Sequence, residues 1–280
     1  MKIEVGKYAG FCGGVNLCIS KLEDILKNNK DVYCIGDVVH NNEVVNHFKE
    51  EGLIVIDSLD ELENGANLVI RAHGAVKELY EECEKRNIKV FDLTCPKVLS
   101  IRNLVTDYLN DESFIVLIAQ KEHPESLSTI SFCGSNSTII EDESEIEQLI
   151  KKLKKYKNIL VIGQTTFSEE KYIKYSNMIK AGLDNNVVIK NTICNATSIR
   201  QKETLEMSKN KDCMIIIGGA KSSNTHKLYD IAVSNCKNTY IIETAKDLNI
   251  DEISRFKNVG IMAGASTPKS SINEVIELLK

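Results

Sequence analysis

The stretch Val90-Phe91-Asp92-Leu93-Thr94-Cys95-Pro96 passes from an apolar, strand-like run into a turn and then into a helix-like pattern. The same passage occurs at Lys7-Tyr8-Ala9-Gly10-Phe11-Cys12-Gly13-Gly14 and at Val188-Ile189-Lys190-Asn191-Thr192-Ile193-Cys194-Asn195. Three thiols in one kind of position, each about a small domain apart, predict three related units. A weak internal repeat agrees: Ser100-Ile101-Arg102 follows Cys95 and Ser198-Ile199-Arg200 follows Cys194, one residue out of step.

Outward from these segments, apolar β-branched runs occupy 2–5, 31–39, 53–58, 67–72, 88–93, 113–119, 137–141, 158–163, 187–193, 213–218, 238–243 and 258–263. Stretches of helical period, such as Val15 to Leu26 and Ser271 to Leu279, lie between many of them. The alternation predicts an α/β class with largely parallel sheets. Only three prolines and no low-complexity linker interrupt the chain, so the borders must be short. They are expected near 96 and 195, giving three similar α/β domains at 1–96, 97–195 and 196–280 with about four strands each. In such sheets functional groups gather beyond the carboxyl ends of the strands, where helix N-termini also point. That favours one central site among three units in a pseudo-threefold arrangement.

A formal net charge of −5 over 280 residues gives no general attraction to nucleic acid or to an anionic membrane. The first residues, Met1-Lys2-Ile3-Glu4-Val5-Gly6, contain no apolar leader segment, and no run approaches the ~18 apolar residues of a membrane span, so a cytoplasmic location is expected. In a reducing compartment nine cysteines are poor disulfide material, which leaves metal binding or catalysis.

A thiolate at a helix start is stabilised by free backbone N–H groups and by the helix dipole. Cys12, Cys95 and Cys194 meet that description, whereas Cys18, Cys34, Cys83, Cys133, Cys213 and Cys236 read as small buried hydrophobes. Structural zinc usually takes four close-spaced ligands, often in C-x₂-C pairs, and no such pair exists here. Three distant thiolates suit an iron–sulfur cluster with one open metal position.

His40, His73 and His123 each sit just past a strand pattern, where imidazole can bind an anion or move a proton, whereas His47 lies within a helix pattern. His123-Pro124-Glu125 sets a carboxyl group in a rigid loop, and exclusion of water there would raise its pKa and suit it to proton donation. The loops at Gly218 to His226, Ala263 to Pro268 and Gly163 to Thr166 carry small and hydroxyl residues at helix starts. Such loops cradle phosphate oxygens, although the P-loop pattern is absent. Together they predict an anion of polyphosphate size.

In order along the whole chain, Gly10-Phe-Cys-Gly-Gly-Val, Val38-Val-His-Asn, Arg71-Ala-His-Gly, Thr94-Cys-Pro, His123-Pro-Glu, Gln164-Thr-Thr, Thr192-Ile-Cys-Asn-Ala-Thr, Ser222-Ser-Asn and Gly264-Ala-Ser-Thr-Pro closely resemble the 4-hydroxy-3-methylbut-2-enyl diphosphate reductase (IspH/LytB) family. The resemblance implies a [4Fe–4S] cluster on Cys12, Cys95 and Cys194 with its fourth iron open. It implies a diphosphate bound by His40, His73, Ser222, Ser223, Asn224 and Ser266 with His123 close by. It also places Thr165 and Glu125 at the substrate's hydroxyl end, with Glu125 as proton donor. The implied reaction is a two-electron reductive dehydroxylation giving isopentenyl and dimethylallyl diphosphates, the last step of the non-mevalonate isoprenoid pathway. The chain departs from the family pattern at Ala9, where arginine is frequent, and at Ser126-Leu127-Ser128, where Val-x-Gly is typical.

Quinolinate synthases also hold a cluster on three cysteines, but their carboxylate substrates favour arginine over the hydroxyl and imidazole donors found here. A cluster or zinc sensor would need a basic helix-turn-helix and no phosphate loops, which is not the pattern. The run Lys151-Lys-Leu-Lys-Lys-Tyr-Lys157 could dock an acidic electron carrier such as a ferredoxin or flavodoxin, a partner that the resemblance also implies, or could be a solvated helix end.

Overall fold

The computed structural model describes residues 1–280, with twelve strands close to the expected runs. They form three four-stranded sheets. The first holds β1 (Lys2–Val5), β12 (Asn258–Ala263), β10 (Cys213–Ile217) and β11 (Thr239–Ile242), in the order β1-β12-β10-β11. The second is β3-β2-β4-β5, from β2 (Val32–Ile35), β3 (Leu53–Ile56), β4 (Asn67–Ile70) and β5 (Lys89–Asp92). The third is β7-β6-β8-β9, from β6 (Ser113–Ile118), β7 (Ser137–Ile140), β8 (Asn158–Gly163) and β9 (Asn186–Ile189).

All three sheets share one topology. In each, the first strand pairs with the second on one side and the third on the other, and the fourth lies outermost beside the third. The first sheet obeys this rule only because β1, the opening strand of the chain, serves as its fourth strand, parallel to β12 with Lys2 opposite Asn258. The chain divides into two compact units, Met1–Val55 with Asn195–Lys280, and Ile56–Cys194.

Burial accounts for the strand sequences. Every residue of β6 and β10 is buried, which suits near-continuous apolar runs at sheet centres, whereas the edge strands β1 and β9 are part exposed. Successive side chains of β6 point to opposite faces. Phe114, Val116 and Ile118 pack with Leu149 and Leu153 of α6 (Ile146–Leu153) and with Tyr172 and Ile179 of α7 (Glu169–Ala181). On the other face, Ile115, Leu117 and Ala119 meet Ile101 and Val105 of α4 (Pro96–Tyr108). The first sheet is covered likewise, by Ile272 and Val275 of α11 (Lys269–Leu278) on one face and by Met207 of α8 (Asn195–Ser208) with Leu228 of α9 (Ser223–Val233) on the other.

A short 3₁₀ turn follows the second strand of each sheet, at Leu59–Glu61, Glu143–Glu145 and Ala245–Asp247. Each is closed by a capping box, from Ser58 and Glu61, Asp142 and Glu145, and Thr244 and Asp247. These boxes mark the threefold repetition at a point where the apolar pattern is silent.

Core and cap should separate in a denaturant titration. Ile215→Ala empties a fully buried position of β10 and should lose about 2–5 kcal/mol. Ser58→Ala removes only an exposed capping bond and should lose about 1 kcal/mol. Equal losses would contradict this account.

Candidate functional site

The outermost strands β1, β5 and β9 each lead into one of the recurrent cysteines, and the same kind of backbone bond fixes each. The Cys12 N–H donates to the Ala265 carbonyl at 3.0 Å, the Cys95 N–H to Ala72 at 2.9 Å and the Cys194 N–H to Thr165 at 3.0 Å. Each acceptor lies two residues past the neighbouring strand, β12, β4 or β8. Cys12 caps α1 (Gly13–Asn28), its sulfur accepting the Val15 N–H at 3.4 Å. Pro96 opens α4 directly after Cys95, and α8 starts directly after Cys194. All three thiols lie outside any disulfide and are half-buried at helix starts. The other six are buried. Burial raises Cys83 and pushes the Cys133 and Cys213 thiols up to about 12, so these stay protonated.

Two residues of α8 that the sequence reading passed over hold the Cys12 loop. Glu203 accepts the Lys7 and Tyr8 N–H groups at 2.6 and 3.0 Å, and buried Arg200 donates to the Gly10 carbonyl at 2.6 Å. The signal was present, because Arg200 ends one copy of the repeat whose other copy ends in Arg102.

In the unit formed by Met1–Val55 and Asn195–Lys280, Ser222 caps α9 by accepting the Thr225 N–H at 3.2 Å. Ser223 and Asn224 fill the first turn. They are 7% and 3% exposed, and the Ser223 hydroxyl and both polar atoms of the Asn224 amide are buried without a protein partner. Leaving such groups unsatisfied costs about 1–3 kcal/mol each, so this helix start could take a ligand, and its dipole would favour an anion. Ser266, in the loop after β12, donates to the His40 carbonyl at 3.1 Å. A Cβ on Gly219 would stand 2.3 Å from that same oxygen. The structure therefore brings Ser222, Ser223, Asn224 and Ser266 into adjoining loops at the carboxyl edge of the first sheet, where the loop that carries His40, past β2 of the second sheet, meets them.

In the unit Ile56–Cys194, the N-cap of α5 (Pro124–Ser131) is His123, whose Nδ1 accepts the Glu125 N–H at 3.1 Å and so leaves the ring proton to Nε2. Glu125 is 3% exposed. One carboxyl oxygen accepts the Thr165 N–H at 2.6 Å and the other accepts the Thr165 hydroxyl at 2.6 Å. Burial raises the Glu125 pKa, and the two Thr165 bonds offset only part of that. Gln164 ties this arrangement together, its Oε1 accepting the Gln120 N–H at 3.0 Å and its Nε2 donating to Thr166 at 2.9 Å. The His73 ring lies edge-on to the His123 ring, centroids 5.5 Å apart. Glu125, Thr165, His123 and His73 therefore stand together. His47 faces solvent on α2 (Asn42–Glu50) beside Glu51. Of the basic run, Lys151 pairs with Glu147 at 2.7 Å and Lys157 with Glu112 at 3.1 Å.

A sequence model of the family described as LytB protein matches residues 3–280. Over 281 residues the chain is 35% identical to the 4-hydroxy-3-methylbut-2-enyl diphosphate reductase of Clostridioides difficile (strain 630), covering 100% of this chain and 99% of the relative. It is 36% identical over 286 residues to the enzyme of that name from Aquifex aeolicus (strain VF5), covering 98% and 97% of the two chains. One similar solved structure is that of (E)-4-hydroxy-3-methyl-but-2-enyl diphosphate reductase, described as the terminal enzyme of the non-mevalonate pathway, at 35% identity and a TM-score of 0.72 over 99% of this chain and 98% of that one. Another, the E-1-hydroxy-2-methyl-but-2-enyl-4-diphosphate reductase from Plasmodium falciparum, gives 0.91 at 25% identity, over 99% and 87%.

The buried carboxyl group has a measurable signature. A raised pKa means that the folded state holds the proton more tightly than the unfolded chain. Its stabilising contribution is therefore complete below the ordinary glutamate value of about 4.3 and is lost as pH rises through the folded value. Unfolding measured across that range should show stability falling with pH in the parent and a flatter profile in Glu125→Gln. Parallel profiles would contradict the assignment.

Proposed function

Because the chain belongs to the LytB protein family, matched from residue 3 to residue 280, we infer that it is a 4-hydroxy-3-methylbut-2-enyl diphosphate reductase. It removes the allylic hydroxyl group and yields isopentenyl and dimethylallyl diphosphates. Two electrons and two protons enter and water leaves. The observation that carries this reading is the start of α9, where the buried polar atoms of Ser223 and Asn224 lack protein partners. Diphosphate oxygens supply what these groups need.

Ser222, Ser223, Asn224 and Ser266, with His40, His73 and His123, are assigned to the diphosphate, as hydroxyl, amide and imidazole donors suited to oxyanions. Cys12, Cys95 and Cys194 fit an iron–sulfur cluster. They form no disulfide, are set at helix starts and differ in exposure from the six buried thiols. They would hold a [4Fe–4S] cluster, which when bound supplies electrons singly and Lewis acidity at an open iron. A small carrier such as a ferredoxin or flavodoxin is the proposed electron donor. No helix is long and apolar enough to cross a membrane.

The protein's own chemistry is proton delivery. Glu125, whose pKa burial raises, is the proton source: in its protonated form the 2.6 Å contact that Thr165 makes by donating runs in reverse, and the carboxyl proton passes to the Thr165 hydroxyl oxygen. Thr165 in turn gives up its hydroxyl hydrogen to the departing oxygen, which leaves as water when the C–O bond breaks. An allylic hydroxide is a poor leaving group, so this proton is needed at the moment of cleavage. Anchoring the diphosphate holds the allylic end in place for it.

Purified without oxygen, the protein should carry on the order of four irons per chain, and Cys95→Ser should lose them. Mössbauer spectra should change at one iron site when the hydroxylated allylic diphosphate is added. Absence of iron, or spectra indifferent to that compound, would reject the reading. Glu125→Gln should keep iron and substrate binding while kcat falls by about 10²–10⁴, and near-normal turnover would exclude Glu125 as the donor.

A further inference from the structure

Three serines of α5 have no part in the chemistry above, yet one reaches the Thr165 loop and two reach the segment that leads into α3. Ser126 and Ser128 are each 1% exposed. The Ser126 hydroxyl lies 3.5 Å from Gln164 Oε1, beside the Thr165 loop. Ser128 donates to the Ala75 carbonyl at 2.8 Å. Ser131 accepts the Lys77 N–H at 2.9 Å and donates back to the Ser128 carbonyl at 2.7 Å. Lys77 opens α3 (Lys77–Lys85), whose own N-cap residue, Val76, makes no side-chain cap. A helix remote in sequence therefore supplies the missing cap.

Gly74 makes this contact feasible. A Cβ there would lie 2.6 Å from the Ser128 hydroxyl and 2.9 Å from Arg102 Nη2, and its φ of +82° is one that side chains rarely adopt. Arg102 completes the lock. Its Nη2 is 3.5 Å from Ser128 Oγ, and its guanidinium lies over the Phe132 and Tyr80 rings at 4.2 and 5.0 Å. Tyr80 donates to Asp92 at 3.0 Å, and Asp92 accepts the Thr94 N–H at 2.9 Å beside Cys95. Serines inside helices usually bond back to their own helix, and an apolar residue would suit a buried face better. Here Ser128 turns outward to another loop, and the Ser131 hydroxyl reaches both Lys77 and its own helix.

We infer that Ser128 and Ser131 are positioning residues that clamp the Arg71–Lys77 loop to α5 and thereby fix His73 against His123. The inference rests on the reading of His73 as a diphosphate ligand. Clamping sets how far the phosphate-binding imidazole stands from the proton-donating Glu125 carried on the same short helix. Losing it should weaken substrate binding more than bond cleavage, because the Glu125–Thr165 pair is held separately by its own bonds.

The test uses the cluster-loaded enzyme and the variant Ser128→Ala/Ser131→Ala, with Ser131→Thr as the conservative control. Amide hydrogen exchange over residues 74–77 should accelerate about tenfold or more in the double variant, the loss of one to two bonds. KM for the allylic diphosphate should rise roughly tenfold with kcat within about twofold. Iron content and exchange in β6 and β8 should match the parent, and Ser131→Thr should keep the parent's KM and Lys77 protection. Unchanged exchange overturns the clamp, as does a fall in kcat with KM unmoved. If the parent itself fails to turn over the diphosphate, the functional reading fails, and the exchange measurement still decides the clamp.

Discussion

One constraint orders the molecule: in parallel pairs the third and fourth strands of each sheet finish within two residues of one another, and a backbone bond ties the loops beyond them. That bond sets Cys12 beside Ala265, Cys95 beside Ala72 and Cys194 beside Thr165. Because all strands of a parallel sheet finish at the same edge, every loop with a polar function emerges there, and the helices that follow begin there with unpaired N–H groups. Thiolates and anions both gain from those N–H groups. The placement of the chemistry is therefore a consequence of strand direction, not of any single motif.

The carboxyl edges of the sheets are also where costly burial is tolerated. Glu125 is 3% exposed and Asn224 likewise 3%. Their neighbours below are apolar strands such as β6 and β10, buried at every residue. Burying one Leu or Ile side chain contributes about 1.5–3 kcal/mol, enough to offset a buried polar group of this kind. The nine thiols divide on the same principle. Six lie in the packed interior and three at helix starts that are only half covered.

Much of this was legible beforehand. The twelve apolar runs fall on the twelve strands because a buried parallel strand needs little beyond a β-branched stretch between turn residues. The loops with His40, His73, His123, Thr165, Ser222 and Ser266 stood out because small, hydroxyl and imidazole residues recur after strands, although any one such loop reads equally as a capping turn. The capping boxes and the arginine in each repeat copy were visible as letters, but nothing local said what Arg102 or Arg200 would touch.

By itself the sequence determined strand and helix content, the parallel α/β class and the three cysteine positions, since all depend on local periodicity and residue type. Only the tertiary structure decided that β1 completes a sheet whose other strands follow some two hundred residues later. It alone decided that Thr165 would hold Glu125, and that Ser131 would cap a helix not its own. These are pairings between distant segments. Their partners are selected by which edges and N–H groups remain unsatisfied once the strands have assembled, and no local pattern records that.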